Sequence, residues 1–167
     1  MRAFILGLVF LGLTSLCFAQ EDGKLLSEVE VYATNYDYLK NVKSNDIHPA
    51  ISLLEYKVAK FDVKSLSSYK DHYDRYKVLF FIPQGKIDAL YDNGNNIIRT
   101  YEKFNDVNLP IPVINSVLKK YPECNFESDV FLVTYHHKRG VKKTYKINIR
   151  SKDKNIKIKT DENGNIL

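Results

Sequence analysis

His136 and His137 stand side by side in a chain that holds only two other histidines, His48 and His72. Adjacent histidines invite a metal reading. On a strand, however, successive side chains point to opposite faces, so the pair is not expected to ligate one ion. A single cysteine, Cys124, lies beyond the first twenty residues, so no metal site and no intrachain disulfide are expected. Cys124 reads as a small buried side chain rather than a nucleophile. Acyl transfer by serine needs the Gly-x-Ser-x-Gly turn, which is absent. Phosphate transfer needs a glycine-rich loop at a helix start, whereas the glycines beyond residue 19 sit at turns or chain ends. The His-x-Gly-His pattern of nucleotide adenylyltransferases is missing too. Two turns, Asp92-Asn93-Gly94-Asn95 and Asp161-Glu162-Asn163-Gly164-Asn165, resemble calcium loops only superficially. They lack the alternating oxygen ligands and the closing acid, and they read as Asn-Gly turns. No catalytic residue and no cofactor are expected.

What remains is charge. From His136 to Lys159 there are ten Lys or Arg and one acid, Asp153, while the preceding chain from Gln20 is mildly acidic. Alternation sorts this stretch. Val141, Tyr145, Ile147 and Ile149 share one face, and Lys142, Lys146, Asn148 and Arg150 share the other. Lys157 and Lys159 likewise alternate with Ile156 and Ile158. This predicts an antiparallel sheet with an apolar inner face and a basic outer one, extended by Thr134 and His136. The outer face, with the hairpin tip His137, Lys138, Arg139 and Gly140, reads either as a docking surface for an acidic partner or as a solvated face whose lysines guard the edges. Tyr32, Tyr36, Tyr69 and Tyr73 are secondary candidates, because clustered exposed tyrosines mark interfaces. Tyr69, Tyr73 and Tyr76 fall at helical spacing. Nucleic acid is not expected, since the chain reads as exported and its basic strands lack interleaved exposed aromatics.

The elements that position these residues follow from periodicity. Ser27 to Tyr36 alternates as a strand, with Val29, Val31 and Ala33 against Glu28, Glu30, Tyr32 and Thr34, and an Asn/Lys/Ser-rich loop follows. A helix is predicted from Pro49 to Phe61, then strands over Tyr76–Ile82, Lys86–Tyr91 and Ile97–Phe104. A second helix spans Pro110 to Tyr121, stopped by Pro122. Strands follow over Phe126–His137, Val141–Arg150 and Asn155–Thr160.

The start of the chain reads as a signal peptide over residues 1–19. Met1-Arg2 precedes an apolar run from Ala3 to Leu13, and Cys17-Phe18-Ala19 closes it, with cleavage expected after Ala19. A lipobox requires a small residue before its cysteine and finds Leu16, so lipidation at Cys17 is not expected. Residues 20–167 then form one domain in two tandem α+β units, about 20–104 and 105–167. Tyr76-Lys77-Val78 with Phe80 matches Tyr145-Lys146-Ile147 with Ile149, Ile87 and Ala89 match Ile156 and Ile158, and the two Asp…Asn turns match in order.

The run Ile87 to Asn95, Leu109-Pro110-Ile111-Pro112-Val113, Lys119-Lys120-Tyr121-Pro122, Tyr145-Lys146-Ile147 and Asp161 to Leu167 resemble the PepSY-like domain, a secreted family of Bacteroidetes-type bacteria. The resemblance covers roughly Tyr76 to Leu167. It implies an α+β fold with helices on one face of an antiparallel sheet, similar to the β-lactamase inhibitor protein, an exported location and no catalytic residues. The expected function is a non-enzymatic binding module, an inhibitor or regulator of another envelope or secreted protein. The rival is a periplasmic carrier of a small apolar or anionic ligand.

Overall fold

The computed structural model describes residues 35–44 and 47–167. Six strands form one open antiparallel sheet in which every strand lies beside its sequence neighbour: β1 Arg75–Ile82, β2 Gly85–Asp92, β3 Ile97–Asn105, β4 Cys124–His136, β5 Gly140–Ser151 and β6 Lys154–Thr160. Three helices, α1 Tyr36–Val42, α2 Pro49–Lys60 and α3 Ile111–Lys120, join the inner face of the sheet in a single apolar core. The molecule is therefore α+β, with helices on one side of an antiparallel sheet. No helix among the described residues is long and apolar enough to cross a membrane. The signal peptide, the part of the expected Ser27–Tyr36 strand that precedes Asn35, and Tyr32 within it lie outside the described residues.

The helices start and stop for local reasons. In α2, Pro49 occupies the first turn and the His48 ring accepts from the Ala50 N–H. Its buried stripe is Ile51, Leu54, Val58 and Ala59, and unexpectedly Glu55. The Tyr91 hydroxyl donates to the Val58 carbonyl at 2.7 Å, a second bond to an acceptor that also takes the Phe61 N–H at the helix end. In α3, Val113 and Val117 are buried, and Gly164 approaches so closely that an added Cβ would lie 2.4 Å from the Pro112 carbonyl oxygen.

Two sequence expectations need correction. Tyr36 does not end a strand; it opens α1, where a loop was expected. Tyr38 and Val42, four residues apart, are both fully buried, and Tyr38 bonds to β3, so a tertiary anchor outweighs a polar composition. The helical spacing of Tyr69, Tyr73 and Tyr76 does not correspond to a helix, since Tyr69 and Tyr73 lie in the irregular segment before β1. Tyr69 stacks on Tyr76 at 5.2 Å and Tyr73 meets it edge-on at 6.4 Å.

Asn35 ties the helical layer to the sheet. Its amide donates to the carbonyls of Ala59 and Asn95, and its Oδ1 accepts from the Ile97 N–H at 2.8 Å. Asn35→Ala leaves three polar groups without their partner at a buried position. We expect a loss of about 2 kcal/mol or more in urea unfolding; an unchanged midpoint and slope contradict this role.

Candidate functional site

The register builds the outer face in rows. Lys77, Leu90, Arg99, His136 and Gly140 stand opposite one another across β1 to β5, followed by Leu79, Asp88, Tyr101, Thr134 and Lys142. Next come Phe81, Lys86, Lys103, Leu132 and Thr144, then Asn105, Val130, Lys146 and Lys159. No helix of the described residues covers this face. Leu79 is 50% exposed, Phe81 74% and Tyr101 49%, values that belong to solvent-facing rings and chains rather than to a core.

The structure brings most of the expected basic residues onto this one surface. Lys142, Lys146, Arg150, Lys157 and Lys159 are all exposed, and Lys138 and Arg139 project from the β4–β5 turn. Arg150 is neutralised by Glu127 at 2.5 Å. Lys143 turns inward instead: its ammonium reaches the Lys43 carbonyl at 2.8 Å and Glu162 at 3.2 Å. Tyr36 lies apart on α1, and Tyr69 and Tyr73 precede the β1 edge, so the tyrosines do not join the basic face.

The histidine pair differs from expectation. The strand ends at His136 and the chain turns, so the two rings stack at 4.8 Å instead of pointing apart. His136 Nδ1 accepts from the Lys138 N–H, and His137 Nδ1 donates to the Ile98 carbonyl at 3.0 Å. Each ring has thus committed one nitrogen, that of His136 to the turn and that of His137 to β3. Desolvation, then Arg139, His137, Lys138 and Arg99, hold the His136 imidazolium below its ordinary pKa. No group of three potential metal-ligating side chains occurs among the described residues.

Sequence reasoning missed Arg99, Tyr101 and Lys103, which alternate on β3 with the buried Thr100, Glu102 and Phe104. The period-two signal was present there. Its polarity is blurred because a tyrosine faces water and a glutamate faces the core.

That glutamate marks a second, internal polar cluster. Glu102 is fully buried; its Oε1 accepts from Tyr38 at 2.9 Å and from Thr100 at 2.7 Å, while Oε2 has no partner. Glu55 of α2 is also buried, with Oε1 unpartnered. Desolvation, reinforced by Glu102 and opposed by Lys143, pushes Glu55 up to about 8. Burial lifts Glu102 to about 7 against the Thr100 and Tyr38 hydrogen bonds and the Lys143 charge. Glu55 also lines a cleft of about 720 Å³ between α1 and α2, with Tyr36, Leu39, Ile47 and Tyr56.

The fold and face together define an α+β protein with one covered and one bare sheet surface. No family model, curated protein or solved structure matches the chain.

Proposed function

We propose that this chain is an exported, non-enzymatic binding module that docks on an acidic envelope or secreted protein through the bare face of its sheet, as an inhibitor or regulator would. The observation that carries this reading is the make-up of that face. Exposed Leu79 and Phe81 on β1 and Tyr101 on β3 share this face with Lys103, Lys142, Lys146, Lys157 and Lys159, none of which forms an ion pair or side-chain hydrogen bond among the described residues. The apolar side chains stand toward the β1 edge and most of these lysines on β5 and β6, and exposed aromatic side chains are enriched at protein interfaces. Unneutralised lysines supply the steering charge. The signal-like pattern of the first 19 residues supports a partner in the periplasm or outside the cell.

The test is charge reversal of Lys142, Lys146, Lys157 and Lys159 to Glu. Against a protein captured from envelope extract on the immobilised wild type, the variant is expected to bind at least about a hundredfold more weakly, with an unchanged thermal melt. Retention of the same protein at the same salt by the folded variant removes the face from consideration.

The same proposal includes an internal duplication with the architecture of PepSY-like and β-lactamase inhibitor proteins. Its support is geometric. In both Asp…Asn turns the first N–H donates to the fifth carbonyl, the fourth N–H donates back to the Asp carbonyl, and the fifth residue's N–H and amide group bond the Asp carboxylate. The equivalence runs from Asp92 to Asn96 and from Asp161 to Asn165, one residue further than the sequence match. Asn95 and Gly164 both take positive φ at the same turn position. Tyr91 then pairs with Ile97 as Thr160 pairs with Ile166. On this reading α2, β1 and β2 correspond to α3, β5 and β6, and β4 has no counterpart, because the chain between α2 and β1 forms a 3₁₀ turn at Val63–Ser65 and loops.

A second reading, a small-ligand carrier, draws on the α1–α2 cleft and the unpartnered carboxyl oxygen of Glu55 that borders it.

A further inference from the structure

A hollow of about 580 Å³ opens on the outer face where the first two rows cross β3, β4 and β5. Its wall and rim are Arg99, Tyr101, Thr134, His136, Arg139 and Lys142. Gly140 keeps one side open: it stands in the register opposite His136, and a Cβ placed on it would meet nothing within 4 Å. The volume lies in the range of small-molecule sites.

The charges in this hollow do not balance. Arg99, Arg139 and Lys142 make no ion pair and no side-chain hydrogen bond among the described residues. The acid lining the hollow, Asp88, is already paired with Lys77 at 2.8 Å. His136 adds a donor even when neutral. Its Nδ1 accepts from Lys138, so the neutral ring carries its proton on Nε2.

We propose that this hollow is a site for a phosphate monoester, whose phosphoryl dianion is held by Arg99, Arg139, Lys142 and His136 while its organic body lies on Tyr101. Four donors arrive from four places: β3, β4, the β4–β5 turn and the start of β5. A tetrahedral oxyanion offers acceptor oxygens in all these directions, whereas a planar carboxylate serves one fork at a time. Three unneutralised cations also match a dianion better than a single negative charge. After desolvation, the charges of Arg139, His137, Lys138 and Arg99 lower the basicity of the His136 ring, in keeping with this geometry. The site goes beyond the docking reading, since it needs a small ligand and one end of the face rather than an acidic protein and the whole of it.

The experiment is a titration of the purified protein with phenyl phosphate, inorganic phosphate and succinate at low salt, following the His136 ring proton resonances by NMR. Phenyl phosphate is expected to saturate at or below about 1 mM and to raise the His136 pKa. Inorganic phosphate, lacking the ring, binds more weakly, and succinate at least about tenfold more weakly than phenyl phosphate. Arg99→Gln and Arg139→Gln each weaken phenyl phosphate at least about tenfold, while a Lys157→Gln/Lys159→Gln double variant changes it less than about twofold. Absence of saturation up to about 10 mM overturns the site. So does an equal loss in the Lys157/Lys159 variant, which signals diffuse attraction, and equal binding of succinate overturns the phosphoryl assignment. The two readings fail separately when docking is also measured with only Lys157 and Lys159 reversed, which spares Lys142 and leaves the hollow intact, whereas Arg99 and Arg139 bear on the hollow.

Discussion

Between pH 5 and pH 9 the protein is expected to lose stability, and Glu55→Gln and Glu102→Gln are each expected to flatten that loss. Both carboxyls are buried under the helical layer, and each has an oxygen without a hydrogen-bond partner. Their folded pKa values, about 8 and about 7, stand above the value of 4.5 that an unperturbed glutamate shows. The sign follows from proton counting. Above about pH 4.5 the unfolded chain gives up these protons while the folded chain keeps them, so rising pH favours unfolding. The decline runs through pH 7 and 8 and levels off once both groups have ionised in the folded state. One pKa unit is worth about 1.4 kcal/mol, which places the combined effect on the order of several kcal/mol. Against a typical domain stability of about 5–15 kcal/mol, this is a large share. A glutamine at either position keeps the shape and cannot ionise. Urea midpoints measured at half-unit pH steps test the idea, and parallel profiles for wild type and both variants refute it.

Gly85→Ala is expected to cost about 3 kcal/mol or more. Gly85 closes the Pro83-Gln84 turn opposite Ile82 and pairs across to Phe104. A methyl group there would lie 2.1 Å from the Lys103 carbonyl oxygen and 2.8 Å from the Phe104 Cα. Both neighbours are backbone, so relief requires that β2 and β3 part at this end. That movement breaks the bond from the Asn105 N–H to the Gln84 carbonyl and loosens the fully buried Phe104. Gly94→Ala is the control. Its close neighbours are the side chains of Asn96 and Asp92 at an exposed turn, which can yield, so the expected change is below about 1 kcal/mol. Equal urea midpoints for the two variants refute the steric argument.

The strands and the two longer helices were legible because each carries its own period. Lys142, Lys146, Lys157 and Lys159 could be assigned to one face by alternation within single strands. Arg99 and Tyr101 could not be joined to them, because their neighbourhood arises from the pairing of β3 with β4, a register fixed across the whole sheet. Glu102 was hidden for a related reason. An inward glutamate makes sense only with Tyr38, 64 residues away in sequence, and that hydrogen bond is also what sustains α1. The histidine rings stacked because a strand terminus, invisible to a two-residue period, falls between them.

The neighbour-to-neighbour order of the six strands also bears on how the chain reaches its fold. Each hairpin can form from contiguous sequence, with α3 as the one long interruption, so loop-closure entropy is met in small steps and the sheet is expected to assemble quickly for its size. The α1 helix is different. Besides its packing on α2, its ties are to Glu102 and Tyr135 through Tyr38 and, through Lys43, to Lys143, 100 residues distant. A short helix held by such remote contacts is expected to dock after the sheet has formed, so that substitutions in it accelerate unfolding rather than slow folding in stopped-flow kinetics.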